Sequence, residues 1–398
     1  MRFPPALDPA RFLAGYWQKA PLFLPAAVDA AVPALSPDEL AWLATLPDVE
    51  SRLIHTDEVS GDRRYRVLHG PFDDRTLMQL PECNWTLLVQ DVEKHLPDFR
   101  AYFAQVPFIP DWRMDDLMVS FAAPGGSVGP HLDQYDVLLC QGEGIRNWRL
   151  TSADRAAACT AHSELSLLQP FDAEQEFRAR MTDVLYLPPG VPHWGVAEDR
   201  CMTYSIGMRA PQLSELVAAY RRLFPARQLA DYSPQELTVF YQDPDLSPDE
   251  AVPGRISERA LQRAMALFRP DGRPDADELA MTFGSLVTDP KAWLAPDRIS
   301  TRSARRLLAG MRDRDTLPLH GMARIACVER GPGNKTVARL FANGFQHVLD
   351  SVFVDPVAEL CRKRMLSCDD LDQWWNETRA RELLEWLASC GAFDPGDE

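Results

Sequence analysis

The chain has 398 residues, 46% hydrophobic and 25% charged, which excludes a disordered or fibrous protein. It also exceeds the roughly 250–300 residues that one hydrophobic core accommodates, so two or three domains are expected. Its 42 basic and 58 acidic residues leave a net charge of −16, which disfavours direct binding to a nucleic-acid backbone and suits a basic partner.

Residues 1–5 lack the apolar core of a secretory signal, and no apolar run reaches the ~18–20 residues of a membrane helix. The eight cysteines are scattered without a Cys-x-x-Cys pair. Reduced thiols and a cytoplasmic location are therefore expected.

In chain order, Ser36-Pro37-Asp38-Glu39-Leu40 has the form of a helix start, with Ser36 as cap and Glu39 three residues on. Residues 84–89 suit a strand or a buried helix. Residues 112–210 read as β: 117–122 stop at Pro124-Gly125-Gly126, and 137–140 run to Gly142-Glu143-Gly144 with Trp148-Arg149-Leu150 close behind, a hairpin signal. Residues 184–187 meet Pro188-Pro189-Gly190, and 202–206 form another strand. Short strands with turn punctuation indicate a sandwich or barrel. After Pro211, helical spacing predominates at 213–220, 256–268, 277–287 and 300–312. Strands return over 322–349 around an Asn343-Gly344 turn, and helices resume from 355 to 388.

The chemistry concentrates in Gly129-Pro130-His131-Leu132-Asp133-Gln134-Tyr135-Asp136. On a strand, His131 and Asp133 point to one side and offer an imidazole nitrogen and a carboxylate oxygen to the same ion. About 60 residues further on, a buried strand and the Pro188-Pro189-Gly190 turn lead to His193, a spacing that lets the chain return across a small barrel. Two histidines and one carboxylate make the facial triad of non-haem iron(II) oxygenases, whereas zinc more often takes a closed or three-histidine set. A histidine satisfied by backbone at a strand end is the competing reading of His193.

Such a site needs an anchor for the distal carboxylate of 2-oxoglutarate. Arg146 follows the Gly142-Glu143-Gly144 turn and shares a strand face with Trp148, and a guanidinium grips a carboxylate through two parallel hydrogen bonds. A solvated strand arginine is the alternative. Ser120 and Thr203 lie on other predicted strands as candidate hydroxyl donors.

The run 111–121, the Gly-Pro-His-Leu-Asp-Gln-Tyr-Asp-Val run at 129–137, Leu187 to His193, and Tyr204 to Pro211 together resemble the JmjC ribosomal oxygenases. The resemblance is greatest to the bacterial branch, which hydroxylates an arginine of large-subunit ribosomal protein sixteen. It implies an α+β protein with a double-stranded β-helix (cupin or jelly-roll, JmjC) catalytic domain over 1–211. A helical dimerisation region over 212–290 and a winged-helix-like C-terminal domain over 291–398 are implied next. Carried over by position, it implies His131, Asp133 and His193 as iron(II) ligands, with Ser120, Arg146 and Thr203 as contacts to 2-oxoglutarate. The resemblance also implies dioxygen as the co-oxidant, with succinate and carbon dioxide as by-products. The sequence departs from the pattern at Thr182-Asp183, where a Gly-Asp pair is common, so that turn is expected to differ.

A cationic substrate side chain calls for carboxylate and aromatic partners, for which Asp115, Asp116, Tyr135 and Asp136 are candidates. Leu213, Leu216, Val217 and Tyr220 form an apolar stripe expected to mediate a homodimer. Three other readings stay open here: a ribosomal histidine hydroxylase, a metal-binding cupin isomerase, and a non-catalytic binding module.

Overall fold

The computed structural model describes all residues except 30, 60–61, 159–164, 312–315, 331–336, 368, 371–373, 375–376 and 395–398. His162, Cys159 and Cys368 lie outside the described residues. The chain divides into two compact units. The first comprises 1–107, 114–209 and 244–248; the second comprises 108–113, 210–243 and 249–398.

In the first unit the strands are β1 (Leu22–Leu24), β2 (Ser51–Val59), β3 (Asp62–His69), β4 (Trp85–Val89), β5 (Met114–Ala122), β6 (Val137–Glu143), β7 (Arg146–Leu150), β8 (Gln175–Ala179), β9 (Val184–Leu187), β10 (His193–Ala197) and β11 (Cys201–Met208). Its helices are α1 (Pro9–Gly15), α2 (Pro37–Leu43), α3 (Asp74–Met78) and α4 (Val92–His95). Eight strands form one antiparallel sheet in the order β1-β9-β6-β11-β5-β4-β2-β3, and β10-β7-β8 form a second. Two facing sheets of this kind make a cupin-like jelly roll, and β9 and β11 are buried along their whole length because both lie inside the larger sheet. Helix α2 starts as anticipated: Ser36 caps Glu39 N–H while the Glu39 carboxylate accepts from Ser36 N–H.

The hairpin expected from Val137 to Leu150 is absent. β6 pairs with β9 and β11 in one sheet, and β7 pairs with β10 and β8 in the other. The connection crosses between sheets at Gly144, whose φ of 63° favours glycine. Of residues 84–89, Trp85–Val89 form strand β4. The β2–β3 hairpin was not among the expected elements.

The second unit contains α5 (Leu213–Leu223), α6 (Pro234–Leu237), α7 (Glu258–Ala266), α8 (Ala276–Thr288), α9 (Thr301–Met311), α10 (Val354–Lys363) and α11 (Thr378–Ser389). A sheet of β13 (Ile325–Arg330), β14 (Val337–Ala342) and β15 (Phe345–Leu349) separates two cores. Period-two alternation puts Ile325, Cys327 and Leu340 with the C-terminal helices, and Ala326, Val328 and Phe341 with α5, α7 and α8. Asn343 and Gly344 take φ of 49° and 82°, as a tight hairpin turn requires. Two short strands escaped the reading, β12 (Thr316–Pro318) and β16 (Met365–Ser367), which pair with each other.

The apolar stripe of α5 has a different use from the one expected. Leu213, Leu216 and Val217 belong to the core shared with α8, and Tyr220 is buried with its hydroxyl donating to Glu278 at 2.9 Å. The stripe is spent inside its own unit and is not an exposed contact face. No helix among the described residues is long and apolar enough to cross a membrane.

Candidate active site

His131 does not lie on a strand. It forms a single antiparallel bridge with His193, the first residue of β10, and Asp133 sits in the loop beyond. The bridge is a reciprocal pair: His131 N–H donates to the His193 carbonyl at 3.0 Å, and His193 N–H donates back at 2.8 Å. Gly190 N–H donates to the Asp133 carbonyl at 2.7 Å, which ties the turn before His193 to the carboxylate's loop.

The ligand-bearing atoms of His131, Asp133 and His193 all lie within 4.8 Å of one another. Asp133 Oδ2 is 4.0 Å from His131 Nε2 and 3.7 Å from His193 Nε2. Each ring is oriented from behind. His131 Nδ1 lies 3.0 Å from the Gly129 carbonyl and His193 Nδ1 lies 2.9 Å from that of Val191. With Nδ1 protonated and donating, Nε2 is left as an acceptor facing the centre, the tautomer a metal ligand needs. Burial, reinforced by the neighbouring His131, draws the His193 pKa down to about 4, against a smaller opposing pull from Asp133. His193 is therefore a neutral imidazole at neutral pH.

The three residues open onto a cavity of about 420 Å³ within the first unit. Strand parity explains its lining. Asp116, Met118 and Ser120 alternate along β5, and opposite them stand Gly207, Ser205 and Thr203 of β11. Arg146 and Trp148 enter from β7 on one face, as anticipated. Arg146 is 3% exposed, and its Nε and Nη2 have no hydrogen-bond partner. A buried guanidinium with open N–H groups is costly, and an anionic group that takes them relieves that cost. The indole of Trp148 is close to both groups, 5.6 Å from the Arg146 guanidinium carbon and 6.0 Å from the His193 ring. Across the strands Trp148 faces Gly195, where an added Cβ would lie 2.6 Å from the indole.

Ser120 lines the cavity and Thr203 stands beside it, but the Thr203 hydroxyl donates to Gln141 Oε1 at 3.1 Å and so has spent its proton. Asp115, Asp116 and Tyr135 line the cavity, and Tyr135 is 41% exposed, placing it at the mouth. Asp136, expected among the substrate partners, is instead wholly buried, accepting from Tyr186 Oη at 2.6 Å and from Gln18 Nε2 at 2.9 Å. It anchors the N-terminal segment instead of facing a ligand. Arg52, Ile54 and Gln90 also line the cavity, brought there by β2 and the end of β4. Only the side-chain alternation of residues 51–55 hints at this.

Residues 102–216 match the JmjC domain family, so this segment is similar to a JmjC domain. More particularly, the chain is similar to bacterial ribosomal oxygenases. It is 40% identical over 237 residues to the ribosomal protein uL16 3-hydroxylase of Escherichia coli K12, covering 60% of each chain. It is 35% identical over 263 residues to a probable ribosomal oxygenase of Haemophilus influenzae, covering 64% of this chain and 59% of that one. The matched sequence thus spans about 60% of these relatives' lengths. The X-ray structure of E. coli ycfD superposes with a TM-score of 0.71 at 29% identity, covering 99% of this chain and all of that one. The structure of YcfD with cobalt and 2-oxoglutarate gives 0.68 at 28% identity, covering 99% of both.

Proposed function

We propose that this chain is an iron(II)- and 2-oxoglutarate-dependent protein hydroxylase acting on an arginine of large-subunit ribosomal protein sixteen (uL16). The observation that carries the reading is the pairing, in one cavity, of the His131–Asp133–His193 cluster with a buried Arg146 whose Nε and Nη2 are unpartnered. The donor set fits the metal: two imidazoles and one carboxylate suit iron(II) and would leave coordination positions for cosubstrate and dioxygen. The orphaned N–H groups fit the distal carboxylate of 2-oxoglutarate. The uL16 hydroxylase relative and the cobalt-bound ribosomal oxygenase support the substrate and cofactors.

In this reading His131, Asp133 and His193 hold the iron, and Arg146 with Ser120 holds the cosubstrate. Thr203 supplies an acceptor oxygen at most, because its proton is engaged with Gln141. When bound, the metal couples oxidative decarboxylation of 2-oxoglutarate to hydroxylation of an unactivated C–H bond. Trp148 and the apolar wall of Val137 and Leu139 keep water from the reacting atoms. Asp115, Asp116 and Tyr135 orient a guanidinium entering through the mouth.

The same reading includes a homodimer, a helical dimerisation region at 212–290, a winged-helix-like module at 291–398 and action in the cytoplasm without direct nucleic-acid binding. The net charge of −16 supports the basic protein partner. Since the α5 stripe is buried, a dimer would use another face, and sedimentation equilibrium decides whether one forms.

The test is mass spectrometry of ribosomal proteins from cells with and without the enzyme. A gain of about 16 Da, one oxygen atom, on an arginine of protein sixteen is expected. The same gain on a histidine of another ribosomal protein would establish the histidine-hydroxylase alternative. No gain on any ribosomal protein would sink the ribosomal assignment.

A further inference from the structure

Strand β4 lies opposite β5 only from Val119 to Ala122. Nearer the start of β5 that partner is gone. The chain leaves β4 at Val89, passes Asp91 at a left-handed φ of 56°, and enters the one-turn helix α4. In a strand, alternate residues direct their N–H and C=O to the same flank, so Asp115 and Leu117 both face the vacated side.

Two side chains from α4 fill it. Glu93 Oε2 accepts from Leu117 N–H at 2.9 Å, and Lys94 Nζ donates to the Asp115 carbonyl at 3.1 Å. One acceptor and one donor thus stand in for the missing ladder. Lys94 is held in turn by the Asp91 carboxylate and lies 3.8 Å from the second Glu93 oxygen. Asp91, Glu93 and Lys94 are 1%, 0% and 9% exposed. Burying such a cluster is costly, and apolar residues of similar size are often as stabilising, so stability is a poor account of it. What charged groups provide, and apolar ones cannot, is a fixed position for two backbone groups. Between those two anchors lies Asp116, which lines the cavity together with Asp115.

We propose that Glu93 and Lys94 are positioning residues, which fix the backbone from which Asp115 and Asp116 meet the cationic side chain of the substrate. This rests on reading the cavity as a hydroxylase site for such a side chain. The test uses Lys94→Met and the near-isosteric Glu93→Gln, which keeps the protein folded should the first variant fail. Amide exchange is followed at Leu117 and at Val119, and Michaelis constants are measured for a basic ribosomal peptide and for 2-oxoglutarate in the iron-loaded enzyme.

Faster exchange at Leu117 is expected, with Val119 in the β4 ladder unchanged. The peptide constant should rise about 10-fold while kcat and the 2-oxoglutarate constant stay within about two-fold, with Glu93→Gln smaller in the same direction. Unchanged Leu117 exchange overturns the proposal, as does faster exchange with an unmoved peptide constant. Equal rises in both Michaelis constants indicate general loosening and also overturn it. A wild-type enzyme that oxidises 2-oxoglutarate but no ribosomal peptide overturns the substrate reading instead, and this inference falls with it whatever the exchange shows.

Discussion

The backbones of His131 and His193 are locked as a reciprocal antiparallel pair, with N–H to carbonyl distances of 3.0 and 2.8 Å, and their rings stand 4.2 Å apart. Their separation is therefore set by main-chain hydrogen bonds that no side-chain change removes. His131→Ala and Asp133→Ala should accordingly fold and lose metal binding. Cobalt(II) at about 100 times its Kd should stabilise the wild type by about 2.7 kcal/mol and leave both variants unmoved in a thermal-shift assay. A normal metal-dependent shift in either variant would remove that residue from the ligand set.

Arg146→Ala deletes the buried guanidinium. A lost charge-assisted carboxylate pair is worth roughly 1.5–3 kcal/mol, so the Michaelis constant for 2-oxoglutarate should rise about 10- to 150-fold. Arg146→Lys keeps the charge but loses the planar fork and should recover only part of the loss. Steady-state succinate formation measures both. An unchanged cosubstrate constant in the alanine variant would place the carboxylate anchor elsewhere.

Gly195→Ala introduces a Cβ 2.6 Å from the Trp148 indole. The ring must move, at a cost of about 1–3 kcal/mol of overpacking. Because Trp148 stands 5.6 Å from the Arg146 guanidinium carbon and 6.0 Å from the His193 ring, its displacement should also raise the 2-oxoglutarate constant. Urea denaturation and kinetics together check this. A variant of wild-type stability would show that the indole is free to yield.

Thr182 carries φ of 73°, where a β-branched residue is strained and glycine is not. Its turn is nonetheless held, with Thr182 N–H donating to the Gln141 carbonyl at 2.8 Å and Asp183 accepting from Ala26 N–H at 2.9 Å. Thr182→Gly should therefore stabilise the protein by about 1 kcal/mol, after allowing for the extra chain entropy of glycine. The denaturation midpoint reports it, and a lower midpoint would mean that the threonine side chain repays its strain through packing.

What the sequence determined alone was local and chemical. The grouping of His131, Asp133 and His193 was legible because the proposed metal would need those ligand atoms, and the shared face of Arg146 and Trp148 because alternate strand residues point to one side. The Ser36–Glu39 cap and the Asn343-Gly344 turn were legible for the same reason: each is decided by neighbours a few residues away. Only the tertiary structure decided what depends on distant pairing. It separated β6 from β7 into different sheets, made His131 a lone bridge residue, and turned Asp136 inward to Tyr186 and Gln18. It also buried the α5 stripe within its own unit and brought Arg52 and Gln90 to the cavity. An amphipathic stripe specifies that something apolar covers it, and an aspartate that something polar meets it. Which partner does so is settled by the contacts of chain segments far apart in sequence, whose hydrogen bonds and burial no local pattern encodes.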